Sequence, residues 1–454
     1  MLNADFLVET LKSRLYADIM RADDFRPEIR YSVSTDSRET GSASIFIALR
    51  GENHDANDFV FDCHSKGCRV FVMDRARAST SCAKLPGSLV IGVDDTGAAL
   101  TTIASAYREI LTGSIIAITG SSGKTTTREL IARVLETRFR VHTPRKNLNN
   151  EIGLPLTLLE APEESHLLVL ELGMNHSGEI SRLTRVARPD AVLITNIGWA
   201  HVGNFSSRDG IACAKAEIFE GLTPNAVAFL CRDDEYYGFL AERCPVRFLD
   251  YGKTDLEILE DRGTEGYLLR WKGFDFLFPA PGEHNLTNLA GAFRVGEYFG
   301  VEAGTATRAA REFRAVGGRN EILSGKFTLI NDCYNANPSS MKAGLETLGK
   351  AGGRKVAILG DMRELGDLSE SLHSEIGKWI GEKRLADIVL LNGDFSRHIA
   401  AALSESGIAV RHHTAKQDLI RDAQKTVQPG DTVLVKASRG MKLEEVVEAL
   451  RSLL

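Results

Sequence analysis

Short apolar runs alternate with stretches of helical periodicity along the whole chain. Residues 44–49, 69–74 and 88–93 predict the strands of a first α/β unit. Residues 114–119, 166–172, 191–197 and 226–230 predict a second set, and 327–332, 355–360, 387–392 and 431–436 a third. Strands that alternate with helical patterns predict parallel sheets covered by helices. One such helix follows residues 114–119, where Leu130, Ile131, Val134 and Leu135 form an apolar stripe. Another is predicted over 96–111. Breaks in the pattern near 94–95 and near 316–318 divide the chain into 1–94, 95–316 and 317–454. Ligands of parallel sheets gather at the C-terminal ends of strands. Gly120, Glu171, Asn196 with the nearby His201, and Asp332 all fall at such ends.

The bulk numbers narrow the class. A chain of 454 residues exceeds one ordinary core, so about three domains are expected. Hydrophobic content of 43% and charged content of 26% are those of a globular protein. A net charge of −6 without a long basic run argues against a nucleic-acid partner. No apolar stretch approaches the roughly 20 residues that span a bilayer, and the first residues show no secretory pattern. The seven cysteines are odd in number and form no C-x-x-C pair. Buried thiols in a reducing cytoplasm are therefore expected, rather than a disulfide framework or a zinc site.

The chemistry is signalled most strongly by Ile118-Thr-Gly-Ser-Ser-Gly-Lys-Thr-Thr-Thr127, between a strand and a helix. A glycine-bracketed turn that opens a helix aims several backbone N–H groups at one point, which suits a polyphosphate. Gly120 and Gly123 allow the tight turn, and Ser121, Ser122 and Thr126 lie within it. Lys124 would reach the outer phosphates and Thr125 a bound Mg²⁺. Ile118 stands where the full P-loop pattern has a glycine, so the motif is a shortened form.

Around this loop, Glu171 follows an apolar strand, where P-loop enzymes place a second metal contact. His201, just past a strand end, suits a metal or a phosphate. Asn147, Asn149 and Asn150 precede a Gly-Leu-Pro turn and are either turn formers or groups that bind substrate oxygens. Lys215 sits on a predicted helix and reads, by itself, as a solvated lysine beside a carboxylate. Asn285 and Asn288 share a helix face; one could cap the helix, or both could contact a base.

These pieces occur in one order, and that order resembles the Mur ligase family, in its D-alanyl-D-alanine-adding branch. The resemblance runs over nearly the whole chain. It is carried by Thr119 to Thr127, Asn147-Leu-Asn-Asn-Glu-Ile-Gly-Leu-Pro155, Glu171-Leu-Gly-Met-Asn-His176, Asn196-Ile-Gly-Trp-Ala-His201 and Ala214-Lys-Ala-Glu-Ile-Phe219. It continues through His284-Asn-Leu-Thr-Asn288, Asp332-Cys-Tyr-Asn-Ala-Asn-Pro338, Leu359-Gly-Asp-Met-Arg-Glu-Leu-Gly366 and Val435-Lys-Ala-Ser-Arg439. Tyr334-Asn-Ala-Asn-Pro338 discriminates best, because the diamino-acid-adding relatives usually carry a Tyr-Ala-His type segment there. The chain departs from the usual pattern at Trp199, Val202-Gly203, Ala216 and Asn331-Asp332-Cys333.

The resemblance implies an α/β fold of three domains: an N-terminal UDP-binding domain, a central P-loop ATPase domain and a mobile C-terminal Rossmann-like domain. It implies ATP-dependent amide bond formation between UDP-N-acetylmuramoyl-tripeptide and D-Ala-D-Ala through an acyl phosphate, by a cytoplasmic monomer. Lys124 and the loop would hold ATP, with two magnesium ions on Thr125, Glu171, His201 and a Lys215 carbamylated by CO₂. Asn285, Asn288, Arg319 and Asp332 would reach the nucleotide, the last two on domain closure. Ser37 and Arg38 would hold the uridine diphosphate. Asn149, Asn150, Tyr334, Asn335 and Asn337 would serve the reacting substrates, with Asn150 near the chemistry. The loop 361–366 and the segment 436–439 are where dipeptide selection is expected. The competing readings are a sister ligase, diamino-acid-adding or folylpolyglutamate-forming, and a nucleotide switch without synthetic chemistry.

Overall fold

A computed structural model describes residues 2–28, 30–51, 54–144, 147–315 and 317–454. Val316, at the second expected boundary, lies outside them. The first sheet runs in the order Asp18–Arg21, Leu89–Val93, Val70–Asp74, Ser44–Ile47, Ser32–Ser34. Its strands are parallel except Asp18–Arg21, which pairs antiparallel with Leu89–Val93. The central sheet is wholly parallel, in the order Phe248–Tyr251, Val227–Cys231, Ala191–Ile194, Ser114–Thr119, Leu167–Glu171, Val141–His142. The last sheet runs Glu321–Ser324, Thr328–Asn331, Thr432–Lys436, Lys355–Gly360, Ile388–Asn392, Ala409–His413, with only its first strand antiparallel.

The predicted central strands are found within a few residues of their expected ends. Their buried, uninterrupted apolar runs suit strands covered on both faces. Sequence reading passed over the three-stranded antiparallel sheet Glu257–Asp261, Tyr267–Trp271, Phe274–Phe278. Every residue of Glu257–Asp261 is exposed, so it carries no burial period. The sheet packs through Trp271, stacked 4.3 Å from Phe293 on the helix Glu283–Tyr298. Such a ring pair adds about 0.5–1.5 kcal/mol beyond its area. Glu283–Tyr298 in turn packs on Lys124–Glu136, the helix that the phosphate-loop motif opens.

The helix Thr96–Ile110 joins the first unit to the second. Asp95 caps it, accepting from Gly97 N at 2.8 Å and Ala98 N at 3.0 Å. Glu109 pairs with Arg14 of the first unit at 2.9 Å, and Arg108 with Asp190 of the second at 3.1 Å. Between the second and third units, Asn320 Nδ2 donates to Pro281 O at 2.8 Å, and Lys350 reaches Asp261 and Glu283. All seven cysteines are free; Cys63, Cys68, Cys231 and Cys333 are buried, whereas Cys213 is exposed against expectation. No helix among the described residues is long and apolar enough to cross a membrane.

Candidate active site

The phosphate-loop turn leaves the centre of the central sheet and is laced to the end of the neighbouring strand. Ser121 N donates to Asn196 O at 2.9 Å and Gly198 N to Ser121 Oγ at 2.8 Å. Ser122 N donates to Asn196 Oδ1 at 3.1 Å, and Thr195 Oγ1 to Ser122 O at 2.6 Å. Gly120 and Gly123 have φ of +148° and +78°, and a Cβ there would lie 1.8 Å from Thr195 Oγ1 and 2.6 Å from Asn288 Oδ1. Both the backbone conformation and the close approach therefore require glycine. Lys124 Nζ donates to Gly120 O at 2.6 Å, arching over the loop.

The loop opens into a cavity of about 700 Å³ lined by the central and C-terminal units. Ser121, Ser122, Gly123, Lys124, Thr125, Thr126, Asn149, Asn150, Glu171, His201, Lys215, Asn285 and Asn288 line it from the central unit. Arg319, Asp332, Tyr334, Asn335 and Asn337 line it from the C-terminal unit. Residues far apart in sequence and assigned to one nucleotide site thus meet in one cleft. Ser37 and Arg38 do not line this cavity. Arg38 forks onto Asp36, with contacts of 2.8 and 2.5 Å, and holds that carboxyl down to about 2.

Buried polar groups concentrate at its floor. Glu171 is 1% exposed, and neither carboxylate oxygen has a hydrogen-bond donor. Arg128 Nη1 stands 3.1 Å from Oε1 as an ion pair. Leaving a buried carboxylate without donors is costly, and the Arg128 guanidinium offsets part of that cost. Lys215 is also 1% exposed, on the helix Arg208–Ala216. Burial, reinforced by the charge of Lys124, pushes its ammonium well below the usual lysine range. A neutral amine is the form that adds CO₂. Burial correspondingly corrects the solvated-lysine reading. Lys124 is lowered too, by desolvation, which Glu171 opposes and Arg319 reinforces.

Oxygen donors, a buried carboxylate without a hydrogen-bond donor and an imidazole fit Mg²⁺. Among the described residues no group of three or more His, Cys, Asp or Glu side chains is placed to hold a metal.

Several assigned side chains have partners that define their local work. Asn150 Oδ1 accepts from Gly153 N at 2.8 Å, bracing the turn that leads into the helix Gly153–Glu160, and Asn337 Oδ1 accepts from Ser340 N at 2.9 Å as the cap of the helix Pro338–Gly349. Asn288 Oδ1 accepts from Thr127 Oγ1, and its Nδ2 donates to Asn285 Oδ1, each at 3.2 Å. Asp332 accepts from Lys436 Nζ at 2.6 Å and from Asn320 N at 3.1 Å. Arg319 lies 3.5 Å over the Tyr334 ring, a cation–π contact that orders both. His201 Nδ1 lies 2.6 Å from Glu364 Oε2, and the contact holds the Glu364 carboxyl below its ordinary value.

Sequence reading missed Arg128, and it noted the loop 361–366 without the contact of Glu364 with His201. Arg128 had no signal, since a helical arginine next to a glutamate is usually exposed. In the loop 361–366, the Asp361 carboxylate accepts from Asp394 N, Phe395 N and Ser396 N at 2.9, 3.1 and 2.8 Å. Asp361 therefore braces the turn at residues 394–396.

A family model described as Mur ligase middle domain matches residues 118–296, and one described as Mur ligase, glutamate ligase domain matches residues 318–439. The UDP-N-acetylmuramoyl-tripeptide--D-alanyl-D-alanine ligase of Bacillus subtilis is 39% identical over 436 residues, 94% of each chain. The protein of the same name from Escherichia coli is 34% identical, over 92% of this chain and 93% of that one. A crystal structure of MurF from Acinetobacter baumannii superposes with a TM-score of 0.85 at 29% identity, covering 98% of each chain. The MurF ligase of Thermotoga maritima in complex with ADP gives 0.78 at 25% identity, over 93% of this chain and 97% of that one.

Proposed function

The chain belongs to the Mur ligase family, and from that membership we propose its reaction. It is an ATP-dependent amide ligase that joins D-alanyl-D-alanine to UDP-N-acetylmuramoyl-tripeptide, giving ADP, phosphate and the pentapeptide used in peptidoglycan synthesis. The observation that carries this reading is the single cleft in which the phosphate loop, Glu171, His201 and Lys215 meet Arg319, Asp332 and Tyr334 of the C-terminal unit. A nucleotide switch needs no such second wall.

A carboxylate is a poor electrophile and must be activated before an amine can attack it. The tripeptide's terminal carboxylate oxygen bonds to the γ-phosphorus, the bond to ADP breaks, and an acyl phosphate forms. The dipeptide amine then attacks the acyl carbon, loses a proton, and the tetrahedral species expels phosphate. Phosphoryl transfer depends chiefly on alignment and charge neutralisation. The loop amides and Lys124 hold the polyphosphate in line. Thr125, Glu171, His201 and carbamylated Lys215 would hold two Mg²⁺ ions, which supply charge neutralisation at the transferring phosphoryl group. The carbamate arises as the neutral Lys215 Nζ bonds the carbon of CO₂ and releases a proton.

Asn285, Asn288, Arg319 and Asp332 position the nucleotide. Asn149, Asn150, Tyr334, Asn335 and Asn337 face the acyl and amine substrates, and Ser37 with Arg38 holds the uridine diphosphate end on the first unit. We assign the three units as 1–94, 95–316 and 317–454, in a cytoplasmic monomer. The two walls of the cleft keep water from the acyl phosphate.

The test is phosphate release by the purified protein with ATP, Mg²⁺ and UDP-MurNAc-tripeptide. Release should require D-Ala-D-Ala. A response to a single amino acid instead would move the chain to a sister ligase, and indifference to both would leave a switch.

A further inference from the structure

The loop that carries Glu364 is braced from three sides within the C-terminal unit. Asp361 is tied to residues 394–396 as described. Met362 N donates to His373 Nε2 at 2.9 Å, and Arg363 N to Ser438 Oγ at 2.8 Å. The rigid loop then docks on the central unit beside His201. Gly203 N donates to Glu364 O at 3.0 Å, and a Cβ on Gly203 would lie 2.7 Å from Gly366 N. His201 and Glu364 both sit in the left-handed region, with φ of +64° and +65°. Non-glycine residues are held there only where the surroundings fix them, and such sites cluster at functional contacts. The product of this geometry is a 2.6 Å ion-pair approach of Glu364 Oε2 to His201 Nδ1 across the domain boundary, close enough to become a hydrogen bond but not aligned as one, since buried Nδ1 has no hydrogen-bond partner. An imidazole with one nitrogen held by a carboxylate has its tautomer and ring orientation set, and presents the other nitrogen to a cation.

We propose that Glu364 is a positioning residue: on domain closure it takes Nδ1 of His201 and turns Nε2 toward the divalent-cation site. The metal set is then complete only when the C-terminal unit is docked. This rests on the reading of His201 as a metal ligand.

Mn²⁺ binding tests it, measured as free Mn²⁺ by electron paramagnetic resonance on the intact chain. Glu364→Ala, Glu364→Gln and His201→Ala are compared with the unsubstituted protein, with a non-hydrolysable ATP analogue alone and with analogue plus UDP-MurNAc-tripeptide. Glu364→Ala should weaken Mn²⁺ binding by about 10–100-fold with both ligands present. Glu364→Gln, which keeps an oxygen for Nδ1, should recover most of the loss. The Glu364 side chain is 53% exposed, so melting temperatures should match and exclude misfolding. Unchanged Mn²⁺ affinity in Glu364→Ala, with His201→Ala weakened, overturns the proposal alone. Unchanged affinity in His201→Ala overturns the metal reading beneath it.

Discussion

Replacing Gly123 by alanine separates two costs that the structure places at one atom. The first is conformational: φ is +78°, and a side chain in the left-handed region costs about 1–2 kcal/mol. The second is a collision, because the new Cβ would stand 2.6 Å from Asn288 Oδ1. Asn288 must then leave its 3.2 Å bonds to Thr127 and Asn285, each worth about 1 kcal/mol. The single substitution should therefore destabilise the central unit by about 3–4 kcal/mol. In an Asn288→Ala background the collision is gone, and Gly123→Ala should cost only the conformational part. The coupling between the two sites is thus about 2 kcal/mol. Urea unfolding followed by tryptophan fluorescence reads it. Of the three tryptophans, Trp199 and Trp271 lie in the central unit, so Trp379→Phe restricts the signal to that unit. An equal cost of Gly123→Ala in both backgrounds would refute the contact.

Lys215→Ala should lower turnover by about 10²–10³-fold, as loss of a stabilising group at the transferring charge does. Added formate or acetate should restore part of it by entering the vacated space, and full activity without rescue would refute a carbamate role. Burial lowers His373 from its ordinary value of 6.5, so the unfolded chain takes up the proton first as pH falls. The stability tied to neutral His373 is present above pH 6.5 and is lost on acidification toward the folded-state value. Melting temperatures at pH 5.5 and 7.5 should therefore differ less in His373→Gln than in the unsubstituted protein; equal differences would contradict the bracing role.

The inner parallel strands were legible because each is a largely apolar run, whereas the parallel edge strands Ser32–Ser34, Val141–His142, Phe248–Tyr251 and Ala409–His413 are short or polar and were passed over. The phosphate loop was legible because its glycines, lysine and threonines are fixed by local geometry. The antiparallel sheet around Tyr267–Trp271 could have been found: Tyr267, Leu269 and Trp271 are buried in alternation, and Lys272-Gly273 turns the chain with both φ positive. Its partner Glu257–Asp261 offers no such signal. Lys215 illustrates what local pattern does not carry. Its flanks, Ala214 and Ala216, suit either a surface or a core helix, and only the resemblance to a family pointed to its buried role. Glu364 was read only as part of the loop 361–366, since its contact with His201 depends on the docking of two units.

The central claim is that the cleft makes an amide through an acyl phosphate. It is tested most directly by labelling the terminal carboxylate of UDP-MurNAc-tripeptide with ¹⁸O and analysing the products by mass spectrometry. One ¹⁸O in the released phosphate, together with a UDP-MurNAc-pentapeptide, is the predicted result. Unlabelled phosphate, or label retained wholly in the peptide, would contradict it.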